Sequence, residues 1–274
     1  MFENKIIIIT GASSGIGLAS AKLFASKGAK LVLAARSFDK LQLLEKEILS
    51  DKNIPDSTEI LCVRTDVSVE TDCRDMVEAA IRRFGKIDIL INNAGVSMRA
   101  KFIDMDLSVI RRLMDVNFWG TVYCTKYALP YIIKEHGSVV GVISTAGYIG
   151  LPARTGYSSS KYAIRGFLDT LRVEHLKDHL HVLVFAPGFT ASNVRKAALT
   201  ADGTPQGETP LEEGRLMSAE EVARRMAKAI EHRKTKVILT SLAKLTLLLS
   251  KYFPRITDRL EYNYMAKEPD SPLK

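Results

Sequence analysis

The chain has few cysteines, no long apolar run and no stretch of low complexity. Its 274 residues include three cysteines, Cys62, Cys73 and Cys124, too few for a disulfide framework and spaced unlike any zinc motif. We therefore expect a reducing compartment and no metal site. Apolar runs stay below the roughly 18 residues that a membrane-spanning helix needs. The first residues do not resemble a signal peptide, so the expected location is cytoplasmic.

Acidic residues are outnumbered by basic ones, and the imbalance is local. The net charge is +8, from 39 Lys and Arg against 31 Asp and Glu. Residues 224–274 carry most of this excess, with twelve basic and five acidic side chains. Nucleic-acid binders more often interleave basic residues with aromatics on a groove-reading element, and this chain has no such element. We therefore expect no nucleic-acid partner.

Short β-branched runs alternate with longer helical patterns from residue 6 to residue 239. The runs are continuously apolar, as in strands that are buried on both faces of a parallel sheet. The pattern predicts an α/β fold, a Rossmann-type, doubly wound parallel sheet of about seven strands between two helical layers. The predicted strands are 6–10, 31–35, 60–65, 87–92, 139–144, 182–186 and 237–239. The predicted helices are 15–28, 38–50, 69–84, 107–134, 156–178 and 218–232.

Two segments depart from this alternation. Residues 189–217 carry several glycines and prolines with little periodicity, which predicts a long functional loop. Residues 241–253 are Leu-rich and helical and are ended by Pro254. We predict one domain over residues 1–240, followed by a C-terminal helical extension over residues 241–274.

A glycine-rich turn follows the first predicted strand. Its glycines permit a tight turn and a close approach of a phosphate to the backbone, and the next helix would offer free N–H groups and its positive dipole end. An ordinary strand-to-helix turn is the alternative, which the position directly after a buried strand disfavours. The motif is Thr10-Gly11-Ala12-Ser13-Ser14-Gly15-Ile16-Gly17.

The residues after the second predicted strand indicate which dinucleotide is preferred. NAD-binding domains usually carry Asp or Glu there to bind the ribose 2′-hydroxyl, whereas this chain has Ala35 and Arg36. An arginine suits a 2′-phosphate through charge-assisted, bidentate hydrogen bonds. We therefore expect NADP to be preferred over NAD, with a solvated arginine at a strand end as the alternative.

Three polar side chains are typical of proton-transfer chemistry. Tyr157 and Lys161 are four residues apart at the start of a helical pattern, so they share one face. A nearby ammonium favours the phenolate and lowers the pKa of the tyrosine, which suits an acid or base. Ser144 is at the end of a predicted strand, where ligands bind in open α/β sheets, and can donate a hydrogen bond to a developing alkoxide.

Taken in order, these motifs resemble the classical short-chain dehydrogenase/reductase family over roughly residues 5–240. The family's Asn-Asn-Ala-Gly motif matches residues 92–95, and its Pro-Gly after the sixth strand matches residues 187–188. The four positions that match the family's catalytic residues are Asn117, Ser144, Tyr157 and Lys161.

The resemblance implies an oxidoreductase that transfers a hydride between NADP(H) and a carbonyl or alcohol. Tyr157 would be the acid or base, Ser144 would orient the substrate oxygen, and Asn117 would brace a water that relays protons to Lys161. Adenine would be bound by Asp66 with Val67. The implied cofactor-binding residues are Gly11, Ser13, Ser14, Gly15, Ile16, Gly17, Arg36, Asp66, Val67, Asn93, Ala94, Gly95, Tyr157, Lys161, Pro187, Gly188 and Thr190.

In that family the loop over residues 189–217 covers the substrate. The expected apolar wall is Met98, Tyr148, Ile149, Leu151, Phe189, Val194, Ala197, Ala198 and Leu199, and the nearby basic residues are Arg99, Arg154, Arg195 and Lys196. A lipophilic carbonyl or alcohol is favoured, and an anionic head group stays open. Alternatively, the apolar residues only pack the loop onto the domain.

The C-terminal part resembles the branch that contains hydroxysteroid dehydrogenases and lipid-ketone reductases. Residues 201–207 and the strand at 236–239 with its Leu-rich successor carry this resemblance. Helices around 107–134 and 156–178 would form a homodimer or homotetramer, as in relatives. The segment 241–253 would lie on an anionic membrane surface, giving peripheral membrane contact, or in a subunit interface or on the domain's own flank.

Two other functions stay open. The same site would support NAD-dependent alcohol oxidation, with Arg36 as the discriminating residue. A non-catalytic nucleotide-sensing protein would keep the fold without turnover, although such proteins usually lose the tyrosine or the lysine, and both are present here.

Overall fold

The computed structural model describes residues 1–190, 195–207 and 216–274. Its sheet has seven parallel strands in the order β3-β2-β1-β4-β5-β6-β7. The order reverses between β1 and β4, which is where open α/β sheets bind ligands, at the carboxyl ends of the strands. The Rossmann-type sheet is therefore confirmed. The strands are β1 (Ile6–Thr10), β2 (Lys30–Ala35), β3 (Ile60–Arg64), β4 (Ile89–Asn92), β5 (Ser138–Val142), β6 (His181–Ala186) and β7 (Lys236–Ile238).

Helices connect the strands and cover both faces of the sheet. The helix predicted over 107–134 is divided, because a π-helical segment at Met114–Trp119 separates α4 from α5. The helices are α1 (Gly15–Ala25), α2 (Phe38–Ser50), α3 (Glu70–Phe84), α4 (Leu107–Leu113), α5 (Gly120–Lys134), α6 (Thr155–Glu174), α7 (Ala219–Glu231), α8 (Ser241–Tyr252) and α9 (Pro254–Ala266).

The continuous apolar strands are explained by cores on both faces of the sheet. Ile7 and Ile9 of β1 pack into one buried cluster with α1, α2 and α7, through side chains such as Phe24. Ile8 points the other way, into a second cluster with α3, α5 and α6 that includes Leu168. Because successive strand side chains face opposite sides, a strand between two helical layers must be apolar throughout.

The end of β5 differs from the prediction, and the difference affects the predicted catalytic residue Ser144. Strand β5 ends at Val142, so Ser144 lies two residues beyond it. The backbone turns there into a 3₁₀ turn, Thr145–Gly147, and the Ser144 Oγ caps this turn by accepting a hydrogen bond from the Ala146 N–H at 3.3 Å. Ser144 therefore starts a turn rather than ending a strand.

The C-terminal extension consists of two helices. Helix α9 was not predicted as an element of its own, because Pro254 was interpreted only as the end of α8. Proline is also favoured in the first turn of a helix, where its missing N–H costs nothing, and Pro254 begins α9 in this way. Within the described residues, none of the helices has both the length and the hydropathy required to cross a bilayer.

Candidate active site

One cavity of about 360 Å³ lies at the carboxyl ends of the strands. Sixteen of the seventeen predicted cofactor-binding residues line it, and Gly17 is the exception. Of the four predicted catalytic residues, Ser144, Tyr157 and Lys161 line the cavity, whereas Asn117 is buried behind its wall. The structure thus brings together motifs that are far apart in the sequence.

The glycine-rich turn is packed so closely that side chains are excluded. Gly11 has a φ of +65°, and a Cβ on it would lie 2.9 Å from the Ala94 Cα. A Cβ on Gly17 would lie 2.3 Å from the Gly11 carbonyl oxygen, so Gly17 lets α1 close against the turn instead of facing the cavity. This turn leaves its backbone open to a phosphate group, as expected for a dinucleotide site.

Helix α1 begins at the cavity with its first turn available to an anion. Ser14 precedes the helix in an extended conformation, and among the described residues its side chain makes no capping hydrogen bond to α1. The first N–H groups of a helix need partners, and its positive dipole end favours a negative one. Ser13, Ser14, Gly15 and Ile16 all line the cavity at this point. The residues present therefore fit the pyrophosphate of a nicotinamide dinucleotide.

Thr10 and Asn93 fasten the glycine turn to the loop after β4. The Thr10 Oγ1 accepts hydrogen bonds from the N–H groups of Asn93 and Ala94, at 3.0 and 3.1 Å. The Asn93 Nδ2 donates to the Thr10 carbonyl at 2.9 Å. The Asn93 side chain therefore holds the turn in shape, and Asn93 also lines the cavity, as expected of a cofactor-binding residue. Thr10 belongs to the predicted motif, but sequence reasoning gave it no role.

We call the part of the cavity that would hold the cofactor's phosphates and adenosine, at the ends of β1 to β4, the adenosine end. It contains a second arginine that sequence reasoning missed. Arg36 lines the cavity described above, and an adjoining cavity is lined by Arg36, Arg64, Asp66 and Asp72. Arg64 ends β3 beside Ala35 of β2. Adjacent parallel strands bring their carboxyl ends together, so a basic residue at the end of the third predicted strand was the available signal. Asp66 accepts hydrogen bonds from the Ser68 N–H and hydroxyl, at 3.0 and 2.7 Å.

Tyr157 and Lys161 lie one turn apart on α6 and face the same cavity. The Lys161 Nζ is 5.7 Å from the centre of the Tyr157 ring and donates a hydrogen bond to the Val142 carbonyl at 3.0 Å. Lys161 is 4% exposed. Its ammonium is thus held between the end of β5 and the tyrosine, in a setting with little water.

Burial changes the proton affinity of both groups. It raises the pKa of Tyr157, and a hydrogen bond from Ser144 and the charge of Arg154 oppose that rise. Burial also lowers the pKa of Lys161 to about 8. The expectation that Lys161 lowers the pKa of Tyr157 is not met, because removing the phenolate from water outweighs its neighbours. The positive charge that does favour the Tyr157 phenolate belongs to Arg154.

Asn117 lies in the π-helical segment and is completely buried. Its Oδ1 accepts from the Val96 N–H at 2.8 Å, and its Nδ2 donates to the Val96 carbonyl and to the Ser160 Oγ, both at 2.9 Å. A Cβ on Gly95 would lie 3.0 Å from the Asn117 Oδ1 and 3.4 Å from the Lys161 Nζ. Asn117 is therefore close to Lys161, but its amide is occupied in holding the loop after β4. Its predicted role in bracing a water stays a prediction.

The substrate end agrees with the predicted apolar wall only in part. Leu151, Phe189, Ala197 and Ala198 line the cavity, as do the basic Arg99, Arg154 and Arg195, whereas Lys196 does not. Met98 and Leu199 are wrong as wall residues, because they are 0% and 1% exposed in a separate core cluster with α4. Tyr148 and Ile149 also lie outside the lining, and the Arg165 guanidinium stacks on the Tyr148 ring at 4.2 Å. Val194 falls outside the described residues.

The C-terminal segment contributes residues to this end that sequence reasoning missed. Met265 and Glu268 line the cavity, and the Tyr264 ring lies 6.3 Å from the Phe189 ring, centre to centre. The Glu268 Oε2 lies 3.3 Å from the Arg99 Nε and 3.2 Å from an Arg154 Nη2. No local signal indicates these contacts, because Glu268 follows Arg154 by 114 residues.

Comparisons with known proteins agree with this arrangement. The family described as short chain dehydrogenase matches residues 5–202. Dehydrogenase/reductase SDR family member 7B of Rattus norvegicus is 33% identical over 272 residues, which cover 98% of this chain and 84% of that protein. The 11-beta-hydroxysteroid dehydrogenase-like 4A protein of Arabidopsis thaliana is 35% identical over 256 residues, covering 93% and 82%.

Among solved structures, a short-chain dehydrogenase/reductase from Burkholderia phymatum in complex with NAD superimposes with a TM-score of 0.81 at 24% identity, covering 93% of this chain and 95% of that one. An alcohol dehydrogenase from Thermococcus sibiricus complexed with 5-hydroxy-NADP gives a TM-score of 0.74, also at 24% identity, covering 88% and 98%. At this identity the two structures establish the shared fold.

Proposed function

Because the chain belongs to the short-chain dehydrogenase/reductase family of nicotinamide-dependent oxidoreductases, we propose that it interconverts a ketone and a secondary alcohol of a lipophilic substrate with NADP(H). The observation that carries this proposal is that Ser144, Tyr157 and Lys161 line one cavity, next to apolar residues such as Leu151 and Phe189. A carbonyl group can reach the tyrosine there while an apolar body contacts the wall.

Each catalytic side chain has a distinct task in this proposal. The nicotinamide, when bound, supplies the hydride for reduction or accepts it in oxidation. Tyr157 is protonated at neutral pH, since burial raises its pKa above the ordinary value of about 10, and its hydroxyl donates that proton to the carbonyl oxygen during reduction. The Ser144 hydroxyl donates a hydrogen bond to the same oxygen as negative charge develops on it. Lys161, with a pKa of about 8, returns a proton to the tyrosine.

The cofactor would be held by the glycine turn, the first turn of α1 and the ends of β2 to β4. Arg36 and Arg64 line the adjoining cavity together with Asp66 and Asp72, and an adenosine 2′-phosphate bound there would bring two negative charges to the arginines. Guanidinium groups bind phosphates through charge-assisted, often bidentate hydrogen bonds. These two arginines support the proposed preference for NADP over NAD.

The test is thermal unfolding with NADPH, NADP, NADH and NAD, each titrated separately. A ligand that binds the folded state stabilises it by RT ln(1 + [L]/Kd), so the shifts rank the four affinities. Larger shifts with the two phosphorylated forms, followed by turnover of lipophilic ketones with NADPH, are the expected result. Larger shifts with NAD and NADH would overturn the NADP preference and support alcohol oxidation with NAD. No shift with any nucleotide would support a protein without this catalytic activity.

Assembly into a homodimer or homotetramer through α4 to α6 belongs to the same proposal. Large apolar side chains are exposed on this part of the single chain, namely Leu107, Trp119, Tyr162, Val173 and Leu176. Contiguous exposed apolar surface commonly marks an interface. Sedimentation equilibrium would measure the state, and a monomer at micromolar concentration would contradict the proposal.

We propose that the protein is cytoplasmic. Helix α8 nevertheless has an apolar surface, on which Leu242, Leu245 and Leu248 are more than half exposed. Lys244 and Lys251 lie on the same helix. A membrane surface and a subunit interface both fit this face. Co-sedimentation with anionic and with neutral vesicles separates the two, since membrane contact requires binding to the anionic vesicles.

A further inference from the structure

Two arginines and one glutamate form a buried charged cluster at the substrate end of the cavity. The side chains of Arg99, Arg154 and Glu268 are 7%, 13% and 4% exposed. Glu268 contacts both guanidinium groups, through the same oxygen. All three residues line the cavity that also contains Tyr157. We call them the arginine–glutamate cluster.

The charges of this cluster do not balance. Buried charges are costly unless they are paired, and one carboxylate neutralises only one of the two guanidinium groups. Burial indeed lowers the pKa of Arg154, although Glu268 opposes this effect. The one other acidic residue among the described lining residues is Asp66, which follows β3 at the opposite, adenosine end. The substrate end therefore has an excess of positive charge.

The two arginines also retain hydrogen-bond donors. A guanidinium has five N–H donors in a planar fork that matches a carboxylate or a phosphate. Arg99 donates to the Pro269 carbonyl, and Arg154 donates to the Ala153 carbonyl at 3.1 Å and to Glu268 at 3.2 Å. The Arg99 Nε is buried and lies 3.3 Å from the Glu268 Oε2, in an ion pair that does not have the geometry of a hydrogen bond.

From these observations we infer that Arg99 and Arg154 recognise one anionic group, a carboxylate or a phosphate monoester, on the substrate whose carbonyl faces Tyr157, and that Glu268 competes with that group for the two guanidinium groups. This inference rests on the proposed function. Arg154 directly precedes α6, and Tyr157 lies in the first turn of that helix. Both side chains also line the same cavity, so the anionic group would bind near the reacting carbonyl.

A purely structural role for the cluster makes a different prediction. If the cluster only anchors the C-terminal segment to the domain, then removing any of its three charges loosens the same contact. All three variants would then change activity in the same direction for every substrate. Recognition of an anion predicts opposite signs, because losing an arginine removes attraction whereas losing Glu268 removes a competitor.

The experiment compares matched substrates with the full-length protein and its preferred cofactor. Benzoylpropionate and its methyl ester differ by one charge, and phenacyl phosphate tests the second kind of anion. Arg99→Gln is expected to lower kcat/KM for the anionic ketones about tenfold and to change it less than threefold for the ester, and Arg154→Gln is expected to lower the ratio of kcat/KM for acid over ester about tenfold. Glu268→Gln is expected to raise kcat/KM for the anions. Arg74→Gln, on the exposed surface of α3, is the matched control.

Several results would overturn the inference. These are equal turnover of acid and ester by the wild-type protein, or losses of the same sign and size in all three cluster variants. If no ketone is turned over, the proposed function fails, and the recognition site is tested by binding. Titration of benzoylpropionate into cofactor-loaded protein should then raise the unfolding temperature more than its ester does, and Arg154→Gln should remove the difference. Equal shifts from acid and ester would refute the site itself.

Discussion

The two ends of the cavity are built in different ways. At the adenosine end, backbone segments after β1 and β4 touch so closely that a Cβ on Gly11 or Gly17 has no space. At the substrate end, the segment after β4, the residue before α6 and the segment after α9 meet through the charges of Arg99, Arg154 and Glu268. The first end depends on the topology of the sheet, whereas the second depends on a few side chains. Substrate preference can therefore change without any change to the fold.

Replacing Tyr157 with Phe should have the largest effect of the variants considered, because it should remove catalysis at the substrate end and leave cofactor binding intact. The ring and its packing are kept, but the proton donor to the carbonyl oxygen is lost. Acid–base groups of this kind contribute about 10² to 10⁴-fold to the rate, so kcat should fall by that range. The measurement is turnover of a lipophilic ketone with NADPH under saturating conditions.

Cofactor binding is the control for this variant. Since Phe keeps the ring and the other predicted cofactor-binding residues are unchanged, the thermal shift with NADPH should stay close to that of the wild-type protein. A variant that loses the shift as well as turnover would mean that Tyr157 maintains the shape of the cavity. A variant that keeps its turnover would rule Tyr157 out as the acid.

Lys161 lies at the junction of the two ends, and its burial predicts a pH dependence of stability. Its pKa is about 8 in the folded protein against 10.5 normally. Below pH 8 the folded protein must bury an ammonium, whereas at higher pH the folded protein releases a proton that the unfolded chain still binds. Stability due to Lys161 should therefore rise between pH 8 and pH 10, by about 2 to 3 kcal/mol at roughly 1.4 kcal/mol per pKa unit.

The measurement is denaturant unfolding of the cofactor-free wild-type protein and of Lys161→Met at several pH values. Other groups that titrate in this range, such as Cys62 with its pKa raised to about 12, are common to both proteins. The difference between the two unfolding free energies therefore isolates Lys161. A difference that stays constant from pH 8 to pH 10 would mean that this lysine is well solvated.

Adding one methyl group to the adenosine end should disturb it measurably. In Gly17→Ala the new Cβ would lie 2.3 Å from the Gly11 carbonyl oxygen, so backbone must move. Overpacking of this kind costs about 1 to 3 kcal/mol in unfolding free energy, and NADPH affinity should fall with it. Gly150→Ala is the matched control, because a Cβ there meets nothing within 4 Å. Equal stability of the two variants would contradict the close packing of the turn.

The strands of the sheet, and the cavity residues that follow them, could be predicted from the sequence. The β-branched runs predicted every strand of the sheet, because a strand between two helical layers is apolar on both faces. Parallel strands then place their carboxyl ends at one edge, so residues as distant as Arg36 and Tyr157 share a cavity. The π-helical segment around Asn117 was missed, because apolar periodicity does not distinguish a single π-helical turn from a continuous α-helix.

The substrate end was less predictable, for two physical reasons. Apolarity alone does not tell whether a loop residue faces a cavity or a core, so Met98 and Leu199 were assigned to the wrong surface. Long-range ion pairs have no local signal either, so the sequence offers nothing that links Glu268 to Arg99. Contacts of this kind are visible only when the chain is folded.

The smallest expected effect is that of replacing Arg36, and it tests whether the adenosine end recognises the 2′-phosphate of NADPH. Arg36→Ala should weaken NADPH binding about tenfold while leaving NADH binding unchanged, because one charge-assisted hydrogen bond is worth roughly 1.5 kcal/mol and only NADPH carries the 2′-phosphate. Arg64→Ala should act in the same direction, since both arginines line the same adjoining cavity. Thermal shift titrations measure both affinities. Equal losses for NADPH and NADH would mean that the arginines shape the adenosine end without reading the phosphate.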